Sequence, residues 1–181
     1  MIRFLLFYAT VTYLRGFRLF FGTTVNGDTN YLSSPIRTIH RIMTHSCVLG
    51  CRTFVDIGGG EGIPSLFMRL VHHKTVVCCD HQRWCRRWVQ WGCRLLRVSR
   101  VRCQFSIPYF SDNSVVFLCV WTSWSRKNRQ RVMATCLTHI PSGGYLVTVS
   151  HGVAHPDFIQ VHQTVERFAW GDATVYYYRH A

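Results

Sequence analysis

Acidic residues are scarce in this chain: eight Asp and Glu stand against 21 Lys and Arg in 181 residues, a formal charge of +13. That imbalance attracts polyanions, and nucleic acid, an anionic membrane face and an acidic protein all fit the field without charge alone separating them. Charged residues of either sign make up only 16% and hydrophobic ones 48%, so the composition of a disordered chain is also missing. No CxxC pair occurs among the nine cysteines. An odd count in a chain of this length gives no disulfide scaffold, and Cys47, Cys78, Cys79 and Cys119 lie in apolar runs as reduced core residues would. Cys47 and Cys51, with His45 nearby, lack a second ligand pair at zinc-site spacing, so no metal is expected. The uncharged run Phe4 to Leu14 is too short to span a bilayer, and no A-x-A cleavage pattern follows it. Internal repeats and low-complexity stretches are absent.

Residues 1–27 hold no acid at all, while Arg3, Arg15 and Arg18 punctuate a Phe/Leu/Tyr-rich stretch. Mitochondrial targeting segments have that character, so a mitochondrial location is the expectation and a cytoplasmic one the alternative. The same segment suits a membrane-proximal helix lying in an interface, or a helix packed on the domain. After the turn at Asn26-Gly27-Asp28, residues 28–181 have the length of one domain with a substantial core.

Within that domain, Ile36, Ile39, Ile42 and Met43 predict a helix from Ser34 to about Val48, with Ser34 as its cap and Pro35 in its first turn. Short apolar runs then alternate with helical patterns, the signature of a mostly parallel sheet covered by helices on both faces. Strands are expected at about 52–57, 75–80, 101–105, 115–120, 144–149 and 173–178, and a further one at 158–167. Helices are expected at 62–72, 82–97 and 125–139. Ser106 to Ser114 is too short for a crossover helix, and Pro141-Ser142-Gly143-Gly144 is a turn leading into a strand.

The most informative stretch is Phe54-Val55-Asp56-Ile57-Gly58-Gly59-Gly60-Glu61-Gly62, where an apolar strand runs through an acid into a glycine-rich turn before a helix. Glycine permits positive φ and lets a ligand approach the bare backbone. About twenty residues on, the second strand ends in Asp80, where a carboxylate can accept hydrogen bonds from both hydroxyls of a ribose. NAD and S-adenosylmethionine both offer that ribose. Acids at Asp56 and Glu61 would oppose a pyrophosphate and suit a cationic sulfonium bearing an amino group, which favours S-adenosylmethionine. Asp56, Glu61, Asp80 and Asp112 all fall at or near strand ends on one side of the sheet.

The Asp-Ile-Gly-Gly-Gly-Glu-Gly turn, Asp80, the Val115–Val120 strand and the Pro-Ser-Gly-Gly lead-in together resemble the class I, seven-strand methyltransferases over residues 31–178. Tyr31-Leu32-Ser33-Ser34-Pro35, the short third-to-fourth connection and the ending Val175-Tyr176-Tyr177-Tyr178-Arg179 are similar to small mitochondrial protein-lysine methyltransferases, of the type acting on ATP synthase subunit c and the adenine nucleotide translocator, and distantly to Dot1-type enzymes. The resemblance implies a Rossmann-like α/β fold, S-adenosyl-L-methionine as cofactor and a lysine-bearing protein as acceptor. It also implies that Asp56, Gly58, Gly60, Glu61 and Gly62 frame the methionine part and Asp80 the ribose. Trp121 to Trp124 would face the transferred methyl, with Asp112, Trp121 and Thr122 lining the acceptor pocket. The Asn/Asp-Pro-Pro-aromatic motif of amino-methylating nucleic-acid enzymes is absent, since the chain reads Val120-Trp121-Thr122-Ser123-Trp124. Two alternatives stand beside the lysine enzyme: an RNA methyltransferase, and a catalytically inactive methyltransferase-like module that binds RNA or a ribonucleoprotein.

Trp84, Trp88 and Trp91 share a helical face and read as core packing, while Arg83, Arg86, Arg87, Arg94 and Arg97 read as a solvated face. With Arg126, Lys127, Arg129 and Arg131, those arginines could also make a phosphate-binding surface. His72-His73, His151 and His155 read as helix-end or loop residues.

Overall fold

The computed structural model describes residues 2–20, 35–99, 101–110, 113–119, 125–168 and 170–181. In chain order the elements are α1 (Ile2–Phe20), α2 (Ile36–Thr44), α3 (Ser46–Leu49), β1 (Thr53–Ile57), α4 (Ile63–Val71), β2 (Thr75–Cys79), α5 (Arg83–Leu96), β3 (Arg102–Gln104), β4 (Ser114–Leu118), α6 (Arg126–His139), β5 (Tyr145–Val149), β6 (Phe158–Phe168) and β7 (Gly171–His180). Each apolar run expected as a strand is one, with ends moved by no more than two residues. The Pro141 turn closes through the Gly144 amide donating to the Pro141 carbonyl at 2.9 Å, with Gly143 at φ +82° as a type II turn requires.

The seven strands form one sheet in the order β3-β2-β1-β4-β5-β7-β6. β3, β2, β1, β4 and β5 run parallel, and β7 pairs antiparallel with β5 and with β6. Parallel strands covered on both faces need apolar side chains in both directions, which is why β1, β2, β4 and β5 read as apolar runs, broken inside only by the buried Asp56 and Thr148. Phe54, Val76, Cys78, Val115, Phe117 and Val147 point to the larger core, shared with α1, α2, α4 and α5. Their neighbours Val55, Ile57, Val77, Cys79, Val116 and Leu118 point to the second core, closed by Cys136 and Ile140 at the end of α6. No helix fills the described residues between β3 and β4, as the length of that connection predicts.

The structure differs from expectation in two places. The single helix expected from Ser34 to Val48 is broken at His45, whose extended backbone (φ −61°, ψ 141°) ends α2 and caps α3. The His45 Nδ1 accepts from the Cys47 amide, and its ring stacks on His162 and Tyr177 at centroid distances of 4.5 and 4.2 Å. The local cap and the ring stack fix a bend that helical periodicity alone does not reveal. Pro35 stands at the N-cap of α2 rather than in its first turn, and Ser34 lies outside the described residues. Secondly, the tryptophans of α5 flank its core stripe instead of making it. The buried residues are Cys85, Val89, Gly92, Cys93 and Leu96, whereas Trp88 is half-buried and Trp91 is 38% exposed. Gly92 is the cause: a Cβ there would come within 3.0 Å of Phe7 and Leu66, so α1 and α4 take up the space where a larger side chain would sit.

Candidate functional site around the β1 turn

The chain leaves β1 for β2 on one side and β4 lies on the other, so the sheet has its topological switch point at the carboxyl end of β1, where open α/β sheets bind ligands. Gly58, Gly60 and Gly62 adopt φ of +72°, +53° and +72°, values that side-chain-bearing residues rarely hold. The turn is anchored at both ends. The Gly58 amide donates to the Cys79 carbonyl at 2.8 Å, and the Gly62 amide donates to the Gly59 carbonyl at 2.7 Å. Gly62 then caps α4, pressed against Val89 of α5.

Asp80 follows β2 directly and is 8% exposed. One carboxylate oxygen accepts from the Gly60 amide at 3.1 Å and the other from the Gln82 amide at 2.8 Å. One side chain therefore joins the glycine turn to the start of α5, the Cys85 thiol donates to the same carboxylate, and the His81 Nδ1 lies 3.7 Å from one of its oxygens, so of its four lone pairs at least one stays open to a further donor. Its own amide donates to the Gln104 carbonyl of β3 at 3.0 Å, which fixes its position from a third strand. The Cys85 thiol is buried beside it, and desolvation together with the Asp80 and Glu61 carboxylates keeps that thiol protonated.

Asp56 occupies a different role from the one its place in the sequence suggests. It is 2% exposed and accepts from the Ser65 hydroxyl of α4 at 2.8 Å, beneath Gly59. Burial pushes its carboxyl up to about 7, against the opposing pull of the Ser65 hydrogen bond and with some further push from Asp80. A carboxyl whose charge burial disfavours is a weaker electrostatic argument for a cationic ligand than a free carboxylate beside the turn. Its visible work is to hold the floor of the turn to α4. Glu61 is also buried, at 8% exposure.

The structure thus brings Asp56, Gly58, Gly60, Glu61, Gly62 and Asp80 together at the carboxyl ends of β1 and β2. Asp112, Trp121 and Thr122, expected in the acceptor pocket, lie outside the described residues. Sequence reasoning missed Ser65, Gln82 and Val89. The first two contribute a hydroxyl and a backbone amide at helix starts, where such groups are common for purely local reasons. Val89 is one apolar residue of a core stripe, and only the three-dimensional contact singles it out.

The surroundings are basic in an uneven way. Among the described residues, none of the six helices contains an Asp or Glu. α5 and α6 both start at the carboxyl edge of the sheet, and their first turns carry Arg83 and Arg86, and Arg126, Lys127 and Arg129, respectively. Cations at a helix N-terminus oppose the macrodipole by about 0.3–1 kcal/mol each at low ionic strength. The Arg86 guanidinium lies 3.7 Å over the ring of Phe105, just past β3, which carries its charge to the same rim.

No family model and no curated protein matches the chain. Solved structures do. An RNA methyltransferase from Salinibacter ruber, in complex with S-adenosyl-L-homocysteine, is similar with a TM-score of 0.65 and 14% identity, over 82% of this chain and 93% of that one. The Escherichia coli protein yhhF gives 0.64 and 13%, over 83% and 92%. An O-methyltransferase from Bacillus cereus in complex with the same homocysteine compound gives 0.62 and 9%, over 84% of each chain. The strand order, the antiparallel β7 and these likenesses together establish that the chain has the Rossmann-like fold of the class I methyltransferases.

Proposed function

We propose that this protein is an S-adenosylmethionine-dependent methyltransferase whose acceptor is RNA. The observation that carries the cofactor assignment is the latch between Asp80 and the Gly60 amide, which places a buried carboxylate with spare acceptor capacity against a turn of positive-φ glycines. The donor set fits the group. Asp80 would accept from the ribose hydroxyls, the Gly58 to Gly62 backbone would lie along the methionine part, and Asp56 would hold the turn from below. Bound there, S-adenosylmethionine supplies a methyl group already activated by its sulfonium. The chain then has to align the acceptor and exclude water, and it need not provide a strong acid or base. Asp112, Trp121 and Thr122 remain the proposed acceptor-side residues.

RNA is favoured over lysine by the basic first turns of α5 and α6. Their placement is electrostatically unfavourable for the isolated protein and becomes favourable beside a phosphate backbone. The Salinibacter ruber enzyme, an RNA methyltransferase by name, supports the same acceptor class, and TrmN from Thermus thermophilus is also similar, with a TM-score of 0.58 and 13% identity over 73% of this chain and 44% of that one. A lysine-bearing protein, the acceptor suggested by the sequence resemblance, has no comparable support. The test is methyl transfer from tritiated S-adenosylmethionine to total RNA and, separately, to nuclease-treated protein extract. Label that ribonuclease releases supports the proposal. Label on protein alone overturns the acceptor assignment while keeping the chemistry, and no transfer to either by folded protein overturns the enzyme.

A further inference from the structure

Helix α1 is apolar on two sides. Its inner stripe, Phe4, Phe7 and Val11, is buried, with Phe4 against Phe67 of α4 and Phe7 against Trp91 of α5 at ring-centroid distances of 5.6 and 5.5 Å. Its outer stripe, Ile2, Leu5, Leu6 and Ala9 at i, i+3, i+4 and i+7, faces solvent, with Ile2 76% and Leu6 62% exposed. A helix with a second apolar face is built for a second apolar contact. The exposed hydroxyls of Thr10 and Thr12 turn inward and donate to the Leu6 and Tyr8 carbonyls, each at 2.8 Å. On α5, packed beside α1, Trp91 and Leu95 are exposed one turn apart, between the exposed arginines Arg87 and Arg94.

We infer that the outer face of α1 and α5 docks onto an anionic lipid bilayer, with the aliphatic side chains and Trp91 entering the headgroup boundary and Arg87 and Arg94 meeting lipid phosphates. Charge selects this occupant. A second copy would bring +13 against +13, and neither α1 nor α5 has an acid to offset it. RNA would satisfy the arginines but leave Ile2, Leu5, Leu6 and Leu95 in water. An anionic bilayer takes both, and tryptophan is a favoured residue at its boundary. Among the described residues no helix is long and apolar enough to cross a membrane, so the contact lies in the plane of the surface. Of the two helices proposed to meet RNA, α6 lies on the opposite face of the sheet, in the other core, and α5 would meet the bilayer through Arg87, Trp91, Arg94 and Leu95 rather than through Arg83 and Arg86 of its first turn.

Flotation with phosphatidylcholine vesicles, with and without phosphatidylglycerol, tests the inference on the full chain. Wild type is expected to float with the anionic vesicles only. The Leu6→Glu, Leu95→Glu double variant, altered at exposed positions that need no repacking, is expected to bind about tenfold more weakly or worse. Arg87→Gln with Arg94→Gln is expected to weaken binding at low salt and to flatten its salt dependence. Failure of wild type to float, equal flotation of the double-glutamate variant, or a stable dimer that the same variant dissociates would each overturn the inference. Methyl transfer to RNA, measured in parallel without vesicles, is expected to be unchanged in the double-glutamate variant, so loss of docking and loss of the proposed activity are read separately.

Discussion

Replacing Asp56 by asparagine isolates the cost of placing an acid under the glycine turn. In the folded chain burial raises this carboxyl from 3.8 to about 7, so the native state holds its proton more tightly than the unfolded state does. The sign follows directly: the native carboxyl costs nothing below pH 4, and stability is lost as the pH rises from about 4 to about 7, where the native state must ionise a buried group. Three units at 1.36 kcal/mol each set a ceiling of about 4 kcal/mol on that loss. Asparagine keeps a carbonyl for the Ser65 hydroxyl and carries no charge to desolvate. The variant is therefore expected to match wild type near pH 4 and to exceed it by up to about 4 kcal/mol at pH 8. Urea denaturation at both values, compared at constant slope, measures the difference. A variant less stable than wild type at pH 8, or a gap that does not change with pH, would refute the reasoning. Weaker binding of S-adenosylmethionine by the same variant is expected as the functional cost.

Further outcomes follow from the same contacts. Gly62→Ala meets both a φ of +72° and the Val89 methyl 2.4 Å from the added carbon, and is expected to cost about 2–4 kcal/mol by chemical denaturation; adding Val89→Ala should recover the steric part and leave the backbone strain. Tyr178→Phe removes the acceptor of the Val153 amide, now held at 2.8 Å, and is expected to cost about 1–2 kcal/mol and to speed hydrogen exchange at that amide. Mass spectrometry after iodoacetamide treatment of native protein at pH 8 is expected to show half-buried Cys47 and Cys103 modified before buried Cys78, Cys85 and Cys136; burial pushes up the Cys47 thiol as well, so access sets the order.

Much of this architecture is legible in the residues because several local signals agree. The apolar runs at Phe54 to Ile57 and Val76 to Cys79, the glycines between them and Asp80 are each ambiguous alone, but their spacing describes one βαβ unit. The bend at His45 is not legible because the rings that stack on it, supplied by β6 and β7, lie more than a hundred residues away in the chain, and the local cap alone does not distinguish a bend from a continuing helix. Trp84, Trp88 and Trp91 gave a false stripe because a glycine, Gly92, marks the true line of close packing, and glycine carries no hydropathy signal. Asp56 was legible as an acid in the right place, but its pairing with Ser65 and its depth were not, since burial of a polar group is set by the elements that close over it.

Calorimetric titration of S-adenosylmethionine into wild type and into Asp80→Asn tests whether the carboxylate at the end of β2 holds the cofactor. Saturable binding is expected for wild type and at least about tenfold weaker binding for the variant, whose neutral amide loses the charge-assisted hydrogen bonds with the ribose hydroxyls. Absence of binding by folded wild type, or equal binding by a folded variant, would contradict that assignment.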